Sequence, residues 1–139
     1  MDAELIRRWN ETVSEGDVVY FLGDFCMGDP RKYFRQLRGL IYFIPGSHDK
    51  EIAKLGNILP PIYILKHDPP ITLCHYALRS WSASHYGTWH LHGHHHGRLE
   101  PYGMSFDVGV DCWDYTPVSI EAVAKKMSAL KPIVDYRKK

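Results

Sequence analysis

Four short apolar runs in this chain end in the same way. They are VVYFLGDF at 18–25, LIYFIPGSHD at 40–49, ITLCHY at 71–76 and WHLHGHHHG at 89–97. Each breaks into a turn or loop that carries histidine or aspartate. A short run of β-branched, aliphatic and aromatic residues that stops at Gly or Pro reads as a strand ending in a loop. Ligand sites in α/β folds favour such strand ends, so these loops are where chemistry is expected.

Other stretches fill in the pattern. Residues 3–10 place Leu5, Ile6 and Trp9 on one helical stripe. Asp29-Pro30 reads as the cap and first position of a helix, with Tyr33, Phe34 and Leu37 on its buried side. A short helix is predicted over 50–55, before Gly56. Residues 61–66 and 71–76 read as a hairpin around His67-Asp68-Pro69-Pro70. Strands are predicted at 88–92 and 105–110, and Ser119 caps a last helix with Ile120, Val123, Met127 and Leu130 as its stripe. Strands with helices between some of them predict an α/β layered domain. No repeat or low-complexity linker divides the chain, so residues 1–139 read as one domain.

Composition removes several function classes. The formal net charge is +1, and the strongly basic block is the tail Arg137-Lys138-Lys139. That is no strong nucleic-acid footprint. No apolar run approaches the roughly 18 to 20 residues of a membrane span. Asp2 and Glu4 open the chain without a signal-peptide pattern. Cys26, Cys74 and Cys112 are odd in number and widely spaced, which argues against a disulfide framework and for a reducing, cytoplasmic setting. They read as core or near-core thiols.

Five of the nine histidines fall within residues 90–96. The row is internal and interrupted by Leu91 and Gly93, which excludes a cloning tag. In an extended segment His90, His92, His94 and His96 would share one face, with His95 on the other. Asp24 alone could simply serve its turn. His48 is followed by Asp49, a suitable partner to fix an imidazole's tautomer. One carboxylate with several neutral imidazoles suits Mn, Fe, Co, Ni or Zn better than Ca or Mg.

The ordered set of GDF at 23–25, GSHD at 46–49, His75 after a strand and GHHH at 93–96 resembles the calcineurin-like metallophosphoesterases. The flanking residues are similar to small prokaryotic and phage members over nearly the whole chain. The resemblance implies an αββα sandwich holding one or two divalent transition-metal ions at its strand ends. It assigns Asp24 to the bridging carboxylate, His75 and His94 to the second ion and His96 to the first. It assigns His48, held by Asp49, to the phosphate contact and protonation of the leaving group. Arg79 is a further candidate, as a phosphate clamp or a surface residue.

Two departures accompany the resemblance. The family's Asp-x-His strand has no counterpart here, which implies an N-terminally incomplete sandwich, a first ion left with Asp24 and His96, and association of copies through the uncovered edges. Ser47 stands where the family usually has an Asn ligand. The implied function is hydrolysis of phosphate mono- or diesters, small or nucleotide-like, by a metal-activated water. The alternative is a catalytically inactive metal-binding or structural member of the same fold.

Overall fold

A computed structural model describes residues 3–23, 34–46, 57–95, 97–109, 113 and 115–134. Among them are two α-helices and two β-sheets, an α/β arrangement as predicted. The predicted helix start at Asp29-Pro30 and the helix at 50–55 lie outside the described residues.

Helix α1 spans Ala3–Thr12. Its outer side is ion-paired along the helix: Arg7 bonds Glu4 and Glu11, and Arg8 bonds Glu4. Exposed pairs of this kind contribute only tenths of a kcal/mol each. The inner side decides where the helix lies. Trp9 is buried and donates its indole N–H to the Arg38 carbonyl at 3.0 Å. Asn10 exchanges bonds with the Gln36 carbonyl (2.6 Å) and the Arg38 amide (2.9 Å). These contacts fix α1 to the chain entering the next sheet.

Strands β1 (Val18–Phe21) and β2 (Leu40–Phe43) run parallel, with Val18 opposite Leu40 and Phe21 opposite Phe43. Alternation divides their side chains between two faces. Val19, Phe21, Ile41 and Phe43 pack with Trp9, Val13 and Leu37 in one cluster. Tyr20 turns the other way, stacks on Tyr42 and reaches Tyr63 of the second sheet.

The second sheet has the order β3-β4-β5-β6, with β3 at Ile62–Leu65, β4 at Ile71–Cys74, β5 at Trp89–His92 and β6 at Ser105–Asp107. The predicted hairpin is the antiparallel β3–β4 pair; the other pairings are parallel. Ile71, Leu73, Trp89, Leu91 and Phe106 form one core with Leu22 and Ile44, which follow β1 and β2. Helix α2 (Ile120–Met127) adds Val123 and Met127 to that core. Ser119 caps it as predicted, accepting the Ala122 amide at 3.1 Å. Each fully buried side chain of this kind contributes about 1.5–3 kcal/mol.

The opposite face of the second sheet is polar, yet it is buried. Thr72, His90 and Ser105 lie side by side across β4, β5 and β6, and His92 lies opposite Asp107. Residues 76–88 cover part of this row, with Trp81 against the His90 ring. Among the described residues no buried side-chain nitrogen or oxygen lacks a hydrogen-bond partner. None of the described helices is long and apolar enough to cross a membrane.

Candidate metal centre at the strand ends

The ends of β1, β2, β4 and β5 meet. Gly23, just past β1, has φ +96°, and a Cβ there would lie 2.5 Å from His75 Nδ1 and 2.6 Å from Gly46 Cα. Only glycine fits both that dihedral and that gap. Gly93, just past β5, donates its amide to the His75 carbonyl at 3.0 Å and lies against the Leu22 carbonyl. Three turns distant in sequence are thus in van der Waals contact around one imidazole.

That imidazole is oriented by the main chain. His75 is 2% exposed, and its Nδ1 lies 2.6 Å from the Leu22 carbonyl oxygen. A carbonyl only accepts, so Nδ1 carries the proton and Nε2 carries the lone pair. Metal-binding histidines are held in this manner, with the far ring nitrogen donating to a carbonyl or carboxylate. His75 Nε2 faces His94 Nδ1 at 3.0 Å. With a proton between them, His94 donates to His75. Two nitrogens each about 2.1 Å from one ion would be about 3.0 to 3.4 Å apart, for right-angle to tetrahedral geometry. The pair therefore has the spacing of two ligands to one metal. Tyr76, 45% exposed, sets its ring edge-on to both imidazoles.

The expected single face from His90 to His96 does not continue past His92. His90 and His92 share a face, with ring centroids 5.4 Å apart. The chain then turns: the His95 amide bonds the Gly93 carbonyl at 2.7 Å, and His94 takes φ +65°. A tight turn replaces the extended backbone, and it is this turn that swings His94 toward His75. His95 lies beside them, its Nε2 accepting from the Ala77 amide at 3.4 Å.

His90 belongs to the scaffold. Its Nδ1 donates to the Thr72 carbonyl at 2.9 Å and its Nε2 accepts from the Leu78 amide at 3.0 Å. Burial pushes its pKa down to about 4. His92 is likewise held below the usual range, mainly by burial, with Asp107 pulling the other way.

Of the residues expected to bind metal or substrate, the described ones are His75, His94 and Arg79; His75 and His94 are brought together. Asp24, Ser47, His48, Asp49 and His96 lie outside the described residues, as do Cys26 and Cys112. Cys74 is a buried free thiol, as expected. Arg79 is exposed. Among the described residues no group of three His, Cys, Asp or Glu side chains forms a set able to hold a metal ion. Asp107 was missed in the sequence. The available signal was Asp-Val-Gly at 107–109, a turn in which the carboxylate accepts the amide two residues on, here at 2.7 Å.

A relative in Methanocaldococcus jannaschii, the uncharacterized protein MJ1445, is 33% identical over 139 aligned residues, covering 90% of this chain and 74% of that protein. No family model matches the chain, and no solved structure matches it.

Proposed function

The chain belongs to the same family as MJ1445, and from its own strand-end geometry we propose that it is a metal-dependent phosphoesterase with a calcineurin-like αββα sandwich. One observation carries this reading. Gly23 and Gly46, which immediately precede Asp24 and Ser47-His48-Asp49 in the sequence, pack against one another and against His75. The His75–His94 pair adds a donor set of the right chemistry and spacing for one borderline transition-metal ion.

In this proposal His75 and His94 hold one ion and Asp24 and His96 the other, with Asp24 shared and Ser47 at the place of a further ligand. The ions are drawn from Mn, Fe, Zn, Ni and Co. When bound, they supply an activated water and offset the charge that grows on the phosphoryl oxygens. The chain's own residues do the rest. The Leu22 carbonyl keeps the proton on His75 Nδ1 and so keeps Nε2 turned to the site. His48 donates a proton to the leaving oxygen as the phosphorus–oxygen bond breaks, and Asp49 fixes its tautomer. The substrate class is a small phosphate mono- or diester, nucleotide-like compounds included.

The test pairs calorimetric titration of Mn(II), with elemental analysis, and hydrolysis of an activated aryl phosphodiester. Metal-dependent turnover is expected, and His48→Ala should lower the rate by about 10²-fold with metal content unchanged. Metal binding without turnover would favour the inactive, metal-binding member of the fold. Absence of both would end the proposal.

A further inference from the structure

Asp107 ends β6 and is 6% exposed. Its two carboxylate oxygens reach two different turns: Oδ1 accepts the Gly109 amide at 2.7 Å and Oδ2 accepts the Gly97 amide at 3.0 Å. The second bond matters for the site. Gly97 lies three residues after His94 in the sequence, and the turn that places His94 opens at Gly93. The near end of that turn is already fastened, because the Gly93 amide bonds the His75 carbonyl at 3.0 Å.

His94 between them sits at φ +65°. A non-glycine residue there costs about 1 kcal/mol or more, and it persists only where the surroundings over-determine it. The turn is held from one side by the His75 main chain and from the other by a buried carboxylate. A carboxylate bond to an amide is charge-assisted, roughly twice as strong as a neutral one. Asp107 is also fixed in place itself. It lies opposite His92 in the β5–β6 register, and its carbonyl accepts the Trp113 indole N–H at 3.0 Å.

We infer that Asp107 is a positioning residue for the His75/His94 pair, clamping the chain at Gly97, three residues after His94, so that His94 Nδ1 stays facing His75 Nε2. It touches neither imidazole's facing nitrogen; it acts through the Gly97 amide. The consequence for metal affinity rests on the metal site proposed above, whereas the consequence for the imidazole pair does not.

The experiment compares the full chain with Asp107→Asn, which keeps one acceptor oxygen, and Asp107→Ala, which keeps neither. Co(II) is titrated and followed by its visible absorption spectrum. In the metal-free proteins, NMR reads the coupling across the His75–His94 hydrogen bond. The expected result is a graded loss of Co(II) affinity, about 10-fold for Asn and about 100-fold for Ala, with an altered spectrum. The metal-free coupling should weaken in the same order. Wild-type affinity, spectrum and coupling in both variants, with only a lower melting temperature, would overturn the inference and leave Asp107 as a loop stabiliser. If the wild-type chain takes up no Co(II), the metal reading fails on its own. The coupling then decides alone: its loss in the variants supports the positioning role, and its survival overturns it. Should Asp107→Ala not fold, Asp107→Asn carries the comparison.

Discussion

His90 in β5 and His75 just past the end of β4 are both buried histidines, and they differ in where their second nitrogen points. Each donates one ring N–H to a main-chain carbonyl, Thr72 for His90 and Leu22 for His75. The second nitrogen of His90 is closed by the Leu78 amide, while that of His75 faces another imidazole. An amide N–H cannot give way to a cation at that position. A proton shared between two imidazoles can be exchanged for a metal ion, because both nitrogens then offer lone pairs. Burial and residue type are therefore equal in the two cases, and the partner of the second nitrogen separates scaffold from site.

Breaking each histidine in turn should give opposite losses. His75→Ala should lower affinity for Mn(II) or Co(II) by at least about 100-fold, because the proposed ligand is removed along with its tautomer-fixing bond. His90→Gln, which offers an acceptor to the Leu78 amide, should leave metal affinity within about threefold and lower the melting temperature instead. Parallel calorimetry and thermal unfolding would test this. Equal metal affinity in wild type and His75→Ala would erase the distinction.

The comparison also predicts a dependence on acidity. The folded-state pKa of His90 is lowered from 6.5 to about 4, chiefly by desolvation. Unfolding therefore takes up a proton between those values. His90's contribution to stability is complete above pH 6.5 and is lost as pH falls toward 4. At about 1.4 kcal/mol per unit, the loss is on the order of 3 kcal/mol. His92 shifts in the same direction and steepens the decline. Denaturant titrations at pH 7, 5.5 and 4 should show a flatter profile in His90→Gln than in the wild type. Identical slopes would mean that His90 does not carry the dependence.

The smallest effect belongs to position 47. Ser47→Asn would place an amide carbonyl oxygen where a hydroxyl stands. If position 47 contacts the ion proposed for His75 and His94, metal affinity should rise by about 10-fold in calorimetry. Unchanged affinity would separate position 47 from that ion.

Much of the fold was legible because its signals are local. The short apolar runs read at 18–25, 40–44 and 71–76 contain the strands Val18–Phe21, Leu40–Phe43 and Ile71–Cys74, and the β3–β4 pairing follows the expected hairpin. Ser119 starts α2, and Val123 and Met127 are buried from its stripe, although Ile120 stays 42% exposed because it lies in the first turn. The site was less legible. The row of alternating histidines assumed extended backbone through His96, and nothing local marks His94 for the left-handed region. Asp107 was missed because its partner Gly97 lies ten residues away and offers only an amide. His75 was recognised from the order of motifs, whereas the atom that orients it belongs to residue 22, 53 positions earlier.

That last contact has a consequence for how this family can diverge. The first half of the chain grips His75 through a main-chain oxygen, and every residue type possesses one. Side chains at position 22 are free to drift between lineages within the limits of their packing, and the imidazole keeps its heading throughout. The path of the chain at this point is what descent must preserve, and no single letter of the sequence records it.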